Sequence, residues 1–179
     1  VNWHDVNKLP KPGMQELSSI QAVAHGADSV PYFQWRKGRG GHEKYHGAVV
    51  DHCGHENTRV FNEVKALGAR LKNMDDIVGT VTESKVAVFY SMENRWALED
   101  SQGYSNADKK YVDTVLKWHK PSWKRGINTD VISESDDFSK YNLLILPMLY
   151  MIDSTLEQKL CTFVENGGTI IATYMLGTV

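Results

Sequence analysis

Tyr141-Asn-Leu-Leu-Ile-Leu-Pro147 is an apolar run, and Ser154 to Asn166 follows it with apolar residues at Leu156, Leu160, Phe163 and Val164. Gly167 comes next, and then a second apolar run, Thr169-Ile-Ile-Ala-Thr-Tyr174. A strand that is apolar at consecutive positions buries both of its faces, which is the habit of parallel sheets covered by helices. The segment between the runs has the period of an amphipathic helix. Ser154 and Glu157 fit the S-x-x-E capping box, and Gly167 suits the helix end. Strand, helix and strand in this order predict a parallel α/β unit.

Upstream the pattern recurs. Lys85 to Tyr90 reads as an apolar strand, and Ala107 to His119 as a helix with Tyr111, Val112, Val115 and Leu116 on one face. Thr129 to Ile132 reads as a short strand. Residues 85–179 are therefore expected to form a flavodoxin-like, doubly wound parallel-sheet domain. Before it, residues 75–84 lack the Gly/Pro density of a flexible linker and are expected to be a short, ordered joint.

Residues 1–74 show less. Met14 to His25 reads as a helix ended by Gly26, Ser29 to Trp35 as a strand, Arg36 to about His55 as a long loop, and about Asn57 to Lys72 as a helix striped by Val60, Val64, Leu67 and Leu71. One strand and two helices cannot bury both faces of a sheet. This region is expected to be the tail of a larger barrel, and the chain to begin within a longer protein. Its opening, Val1-Asn-Trp-His-Asp5, has neither an initiator Met nor the basic start and apolar core of a secretory signal.

Composition narrows the function. The net charge is −2 over 179 residues, which gives no basic excess for nucleic acid or an anionic membrane surface. No apolar run is long enough to span a bilayer. Cys53 and Cys161 supply no disulfide framework, so a reducing cytoplasm is the expected compartment.

The chemistry gathers in one loop. Tyr32-Phe-Gln-Trp-Arg36 ends the expected strand, and Arg39-Gly-Gly-His-Glu43-Lys-Tyr-His46-Gly follows. An aromatic wall with a carboxylate and an imidazole three positions apart suits the hydroxyls and flat faces of a sugar. His42, His46, His52, Cys53 and His55 invite a zinc reading, but their spacing fits no usual ligand pattern. Arg36-Lys-Gly-Arg-Gly-Gly41 lacks the form of a phosphate loop and reads as turn chemistry. Trp35 suits the site wall and core packing equally. Trp96, Trp118 and Trp123 read as packing of the second domain or its interface. Ser91-Met-Glu-Asn-Arg95 lacks a flavin's phosphate loop, and Pro147-Met-Leu-Tyr-Met151 lacks the cysteine an amidotransferase needs.

Val1-Asn-Trp-His, Lys11-Pro-Gly-Met14, Ser18-Ser-Ile-Gln-Ala-Val-Ala-His25-Gly, Tyr32-Phe-Gln-Trp-Arg36, Glu43-Lys-Tyr-His46-Gly-Ala-Val-Val-Asp51 and Leu146-Pro-Met-Leu-Tyr150 resemble the β-galactosidases of glycoside hydrolase family 42. The resemblance runs the length of the chain. It implies that residues 1–74 are the last segment of a (β/α)8 TIM barrel and that residues 85–179 are most of a trimerisation domain. It implies a retaining enzyme acting on terminal β-D-galactosides, with no organic cofactor, whose two catalytic glutamates lie outside this chain. By the same resemblance Trp3 lines the galactose pocket, and Glu43 and His46 hydrogen-bond galactose hydroxyls. The implied partners are a galactoside and two further copies, with no nucleic acid and no membrane. A non-enzymatic assembly module is the competing reading, and a flavodoxin-like ligand-binding protein a third. The isolated chain is expected to show no turnover of a chromogenic β-galactoside. Hydrolysis above that of a variant lacking Glu43 contradicts this.

Overall fold

The computed structural model describes residues 4–103 and 105–179. It comprises two units, Val1–Val81 and Thr82–Val179.

In the first unit, α1 (Met14–Ala24) and α2 (Arg59–Leu71) pack together. α1 ends at Gly26, whose φ of 94° is open to glycine at little cost. Thr58 caps α2, its Oγ1 accepting the Phe61 amide at 3.3 Å. Of the apolar stripe expected on α2, Leu67 is the buried member, while Val60, Val64 and Leu71 are half-buried. Ser19 of α1 donates to the Gln15 carbonyl at 2.6 Å and lies 2.7 Å from the Tyr32 hydroxyl, which ties the helix to the following segment.

The strand expected over Ser29–Trp35 does not form. What stands there is a single parallel bridge between Arg36 and Val50. A strand exists only by pairing, and among the described residues Gln34 to Lys37 pair with Gly47 to Val50 alone. A turn of 3-10 helix, Asp75–Ile77, lies in the segment expected to be an ordered joint.

The second unit is a parallel sheet in the order β2-β1-β3-β4, from β1 (Val86–Phe89), β2 (Thr129–Ile132), β3 (Leu143–Leu146) and β4 (Thr169–Ala172). Its helices are α3 (Met92–Asp100), α4 (Tyr111–Lys124) and α5 (Ser154–Glu165). Successive strand residues alternate between two cores, as the period of two demands. Ala87, Phe89, Leu144 and Leu146 face Leu156, Leu160 and Phe163 of α5. Val88 and Ile145 face Leu98 of α3 and Tyr111 and Val115 of α4. The doubly wound α/β fold expected from the strand pattern is present.

Local differences have physical causes. Residues 107–110 are not helical: Asp108 and Lys110 both take left-handed φ values of 56°, and α4 starts only at Tyr111. The cap of α5 is Asp153, whose Oδ1 accepts the Leu156 amide at 2.7 Å, one residue ahead of the expected Ser154. Gly168 is required by contact, since a Cβ there would lie 2.3 Å from the Phe163 ring.

α3 was not expected at all, and it holds the most demanding polar residue of this unit. Asn94 is 1% exposed. Its Nδ2 donates to the Met148 carbonyl at 2.9 Å, and its Oδ1 accepts the amides of Tyr150 and Met151 at 2.7 and 3.1 Å. One side chain thus satisfies three backbone groups of the segment that follows β3. Asn94→Ala leaves those groups unpaired and is expected to destabilise the second unit by about 3 kcal/mol, since each orphaned buried group costs roughly 1–3 kcal/mol. A urea midpoint unchanged from that of the unsubstituted chain refutes this.

Candidate functional site

The long loop of the first unit is closed at its neck. The Lys37 amide donates to the Val50 carbonyl at 3.0 Å, and the Val50 amide to the Trp35 carbonyl at 2.7 Å. The Val49 amide donates to the Gln34 carbonyl at 2.9 Å. Lys37 Nζ lies 3.2 Å from Asp51 Oδ1, an oxygen that also accepts the His52 amide at 2.6 Å. His52 Nε2 lies 2.8 Å from the Gly38 carbonyl, which can only accept, so Nε2 carries the proton. The His52 amide and the Lys37 ammonium together hold the Asp51 carboxyl below the usual carboxylate range, against the opposing effect of its partial burial.

Between the two sides of the neck, Glu43 and His46 share one turn, the Glu43 carbonyl accepting the His46 amide at 2.9 Å. The Glu43 side chain is exposed. His46 is 2% exposed and presents its ring edge-on to Phe33, with centroids 6.2 Å apart. Trp35 is 67% exposed, its ring 6.4 Å from that of Phe61, so its indole is surface and not core. Trp3 lies outside the described residues.

A concavity of about 490 Å³ lies beside this turn, lined by Tyr32, Phe33, Gln34 and Tyr45 together with residues of the 4–10 segment. Neither Glu43 nor His46 lines it. Gln34 does, and its buried Nε2 has no hydrogen-bond partner among the described residues. Sequence reasoning passed over Gln34, although its place between Phe33 and Trp35 set it apart. The residues that invited a zinc reading have separate places. His52 is tied to Gly38, while His42, Cys53 and His55 are exposed. Among the described residues no three His, Cys, Asp or Glu side chains gather as a metal ion requires.

In the second unit, ligands of a doubly wound sheet would sit beyond the strand ends where the order reverses, between β1 and β3. That place is filled by buried Asn94, Tyr111 and Met148. Met148 takes a φ of 45° two residues after the end of β3, with its amide donating to Thr173 Oγ1 at 2.7 Å. This is the sharp turn on which a nucleophile would stand, and a thioether occupies it. Cys161 lies in mid-helix on α5 and is exposed. The Tyr111 hydroxyl accepts the Ser91 amide at 3.2 Å, and burial pushes its pKa up.

Residues 1–74 match the family profile described as β-galactosidase, and residues 84–179 that described as β-galactosidase trimerisation domain. The β-galactosidase Pbg of Clostridium perfringens is 54% identical over 179 residues, which are 100% of this chain and 26% of that protein. GanA, a β-galactosidase of Bacillus subtilis, is 49% identical over 100% of this chain and 27% of its own length. Among solved structures, a catalytic mutant of Gan42B, a GH42 β-galactosidase from G. stearothermophilus, superposes with a TM-score of 0.96 at 51% identity, covering 99% of this chain and 26% of that one. The chain thus spans about a quarter of the length of the relatives it matches. Fold and matches together define a segment of an α/β glycoside hydrolase, the end of a TIM barrel followed by a parallel-sheet assembly domain. The chain belongs to glycoside hydrolase family 42, the β-galactosidases.

No helix of the described residues is long and apolar enough to cross a membrane. A carboxyl lowered in the folded state stabilises above its unfolded pKa and ceases to do so as pH falls through the folded one. The Asp51 tie is therefore expected to persist at neutral and mildly acidic pH and to loosen only below about 3.9, the value of a free aspartate. The NMR shift of the His52 amide proton should titrate with a midpoint below that value and lose the transition in Asp51→Asn. A midpoint above it refutes the assignment.

Proposed function

We propose that this chain is the substrate-binding end of the barrel and the assembly domain of a retaining β-galactosidase acting on terminal β-D-galactosides. Trp3, Glu43 and His46 bind the galactose unit in this reading. The observation that carries it is that the loop holding Glu43 and His46 falls within the segment matching the β-galactosidase profile. Pbg and GanA, both β-galactosidases, support the same activity.

The chemistry follows from the side chains. A carboxylate accepts hydrogen bonds from sugar hydroxyls, and each such charged bond is worth roughly 1.5–3 kcal/mol. The imidazole of His46 adds a donor or acceptor on the same turn. The Trp3 indole suits the apolar face of the sugar. Retention of configuration needs two carboxyl groups about 5–5.5 Å apart, one protonating the leaving oxygen and one attacking the anomeric carbon. The longer polypeptide supplies both, and Glu43 binds without attacking. No organic cofactor enters this chemistry. The whole protein works as a homotrimer in the cytoplasm in this reading. The exposed indoles of Trp96 and Trp123, 57% and 61% accessible, suit an interface between copies.

In the full-length polypeptide that contains this segment, Glu43→Gln is expected to lower kcat/KM on a nitrophenyl β-galactoside by at least about tenfold, the factor that corresponds to 1.4 kcal/mol. His46→Phe should do likewise. Unaltered kinetics in both variants removes them from the site. Absence of any galactoside hydrolysis by the unsubstituted protein overturns the reading as a whole.

A further inference from the structure

We infer that Asp51 and His52 are positioning residues for the turn that carries Glu43 and His46, acting through two ties at the loop neck. This rests on the galactoside-binding reading of that turn.

The loop needs such ties. Gly38, Gly40, Gly41 and Gly47 all lie within it. Glycine loses more conformational freedom on ordering than any other residue, so a loop this rich in it does not hold two side chains in register by itself. Backbone bonds between residues 34–37 and 47–50 close the neck on one side. The side chains of Asp51 and His52 then reach back across it to successive residues. Asp51 takes Lys37 Nζ at 3.2 Å, and His52 Nε2 donates to the Gly38 carbonyl at 2.8 Å. The bond from the His52 amide to Asp51 Oδ1, at 2.6 Å, locks the two ties to each other. Two adjacent residues thus fix two adjacent residues, which sets both the separation and the twist of the loop's ends. On the entering side, the Arg36 guanidinium comes so near Gly54 that a Cβ there would lie 3.1 Å from Nη2. The chain on both sides of the neck is therefore pinned, and the turn at residues 43–46 inherits its position from it.

Neither residue is assigned contact with the sugar. Their effect is on where Glu43 and His46 stand, and displacement of a binding group by about 1 Å can cost up to roughly a hundredfold in rate.

The test uses the full-length polypeptide with four variants: Asp51→Ala, Lys37→Met, His52→Phe and His52→Gln. The first three are expected to lower kcat/KM on a nitrophenyl β-galactoside by about tenfold or more, well below their melting temperatures. His52→Gln keeps an N–H for the Gly38 carbonyl and is expected to recover most of the loss seen in His52→Phe. Amide hydrogen exchange at His46 and Val50 should accelerate in the same order as the kinetic loss. A purely structural role would lower the melting temperature and leave kcat/KM and the glutamine rescue flat, and that result overturns the proposal. Faster exchange with unchanged kinetics overturns it equally. If the unsubstituted protein hydrolyses no galactoside, the parent reading fails, and the positioning role falls with it. If that protein is active and the variants match it, only the positioning role fails.

Discussion

The second unit depends on β1 and β3 being apolar at consecutive positions. Val86 to Phe89 and Leu143 to Leu146 lie side by side at the centre of the sheet, and each alternates its side chains between the two faces. Neither face can be left to water, so both must be covered. α5 covers one face and α3 with α4 cover the other. The outer strands show the contrast. Val131 on β2 and Ile171 on β4 are exposed, because only the central pair is enclosed on both sides.

That requirement explains what could be read from the sequence. The two central strands and α5 stood out because their burial is entirely apolar. α3 did not, because the positions it turns inward are Asn94 and Leu98, while Met92 and Trp96 face outward. A hydrophobic stripe cannot be recognised when an asparagine occupies its centre, and here the asparagine is inside because backbone groups after β3 need partners. The segment from Ser29 to Trp35 failed in the opposite sense. Its composition favours a strand, but composition supplies no neighbour to pair with. Sequence pattern speaks to which face is buried and remains silent about hydrogen-bonding partners.

The same division runs through the candidate site. Glu43 and His46 were visible because they are close in sequence, and three residues of separation bring both onto one turn. The neck was not visible, since Lys37 meets Asp51, and Gly38 meets His52, across fourteen residues each. His52 stood out only as one of a histidine and cysteine group whose spacing fits no usual metal site. In the structure its imidazole serves a carbonyl. A histidine's role is decided by what faces its two nitrogens, and that information belongs to the fold.

The turn after β3 shows why sheet architecture alone says little about activity. Doubly wound sheets offer a ligand crevice where the strand order reverses and a strained turn suited to a nucleophile. Here both features persist, and the protein's own side chains occupy them. Met148 holds the left-handed conformation of the turn but brings a buried thioether. Asn94 and Tyr111 fill the crevice and spend their polar atoms on the protein's own backbone. A crevice closed by its own hydrogen bonds is rigid, and rigidity suits a domain whose work is to present a surface. In the first unit the contrast is plain, for the Glu43 carboxylate is exposed on a turn whose neck is tied by Lys37 to Asp51 and by Gly38 to His52.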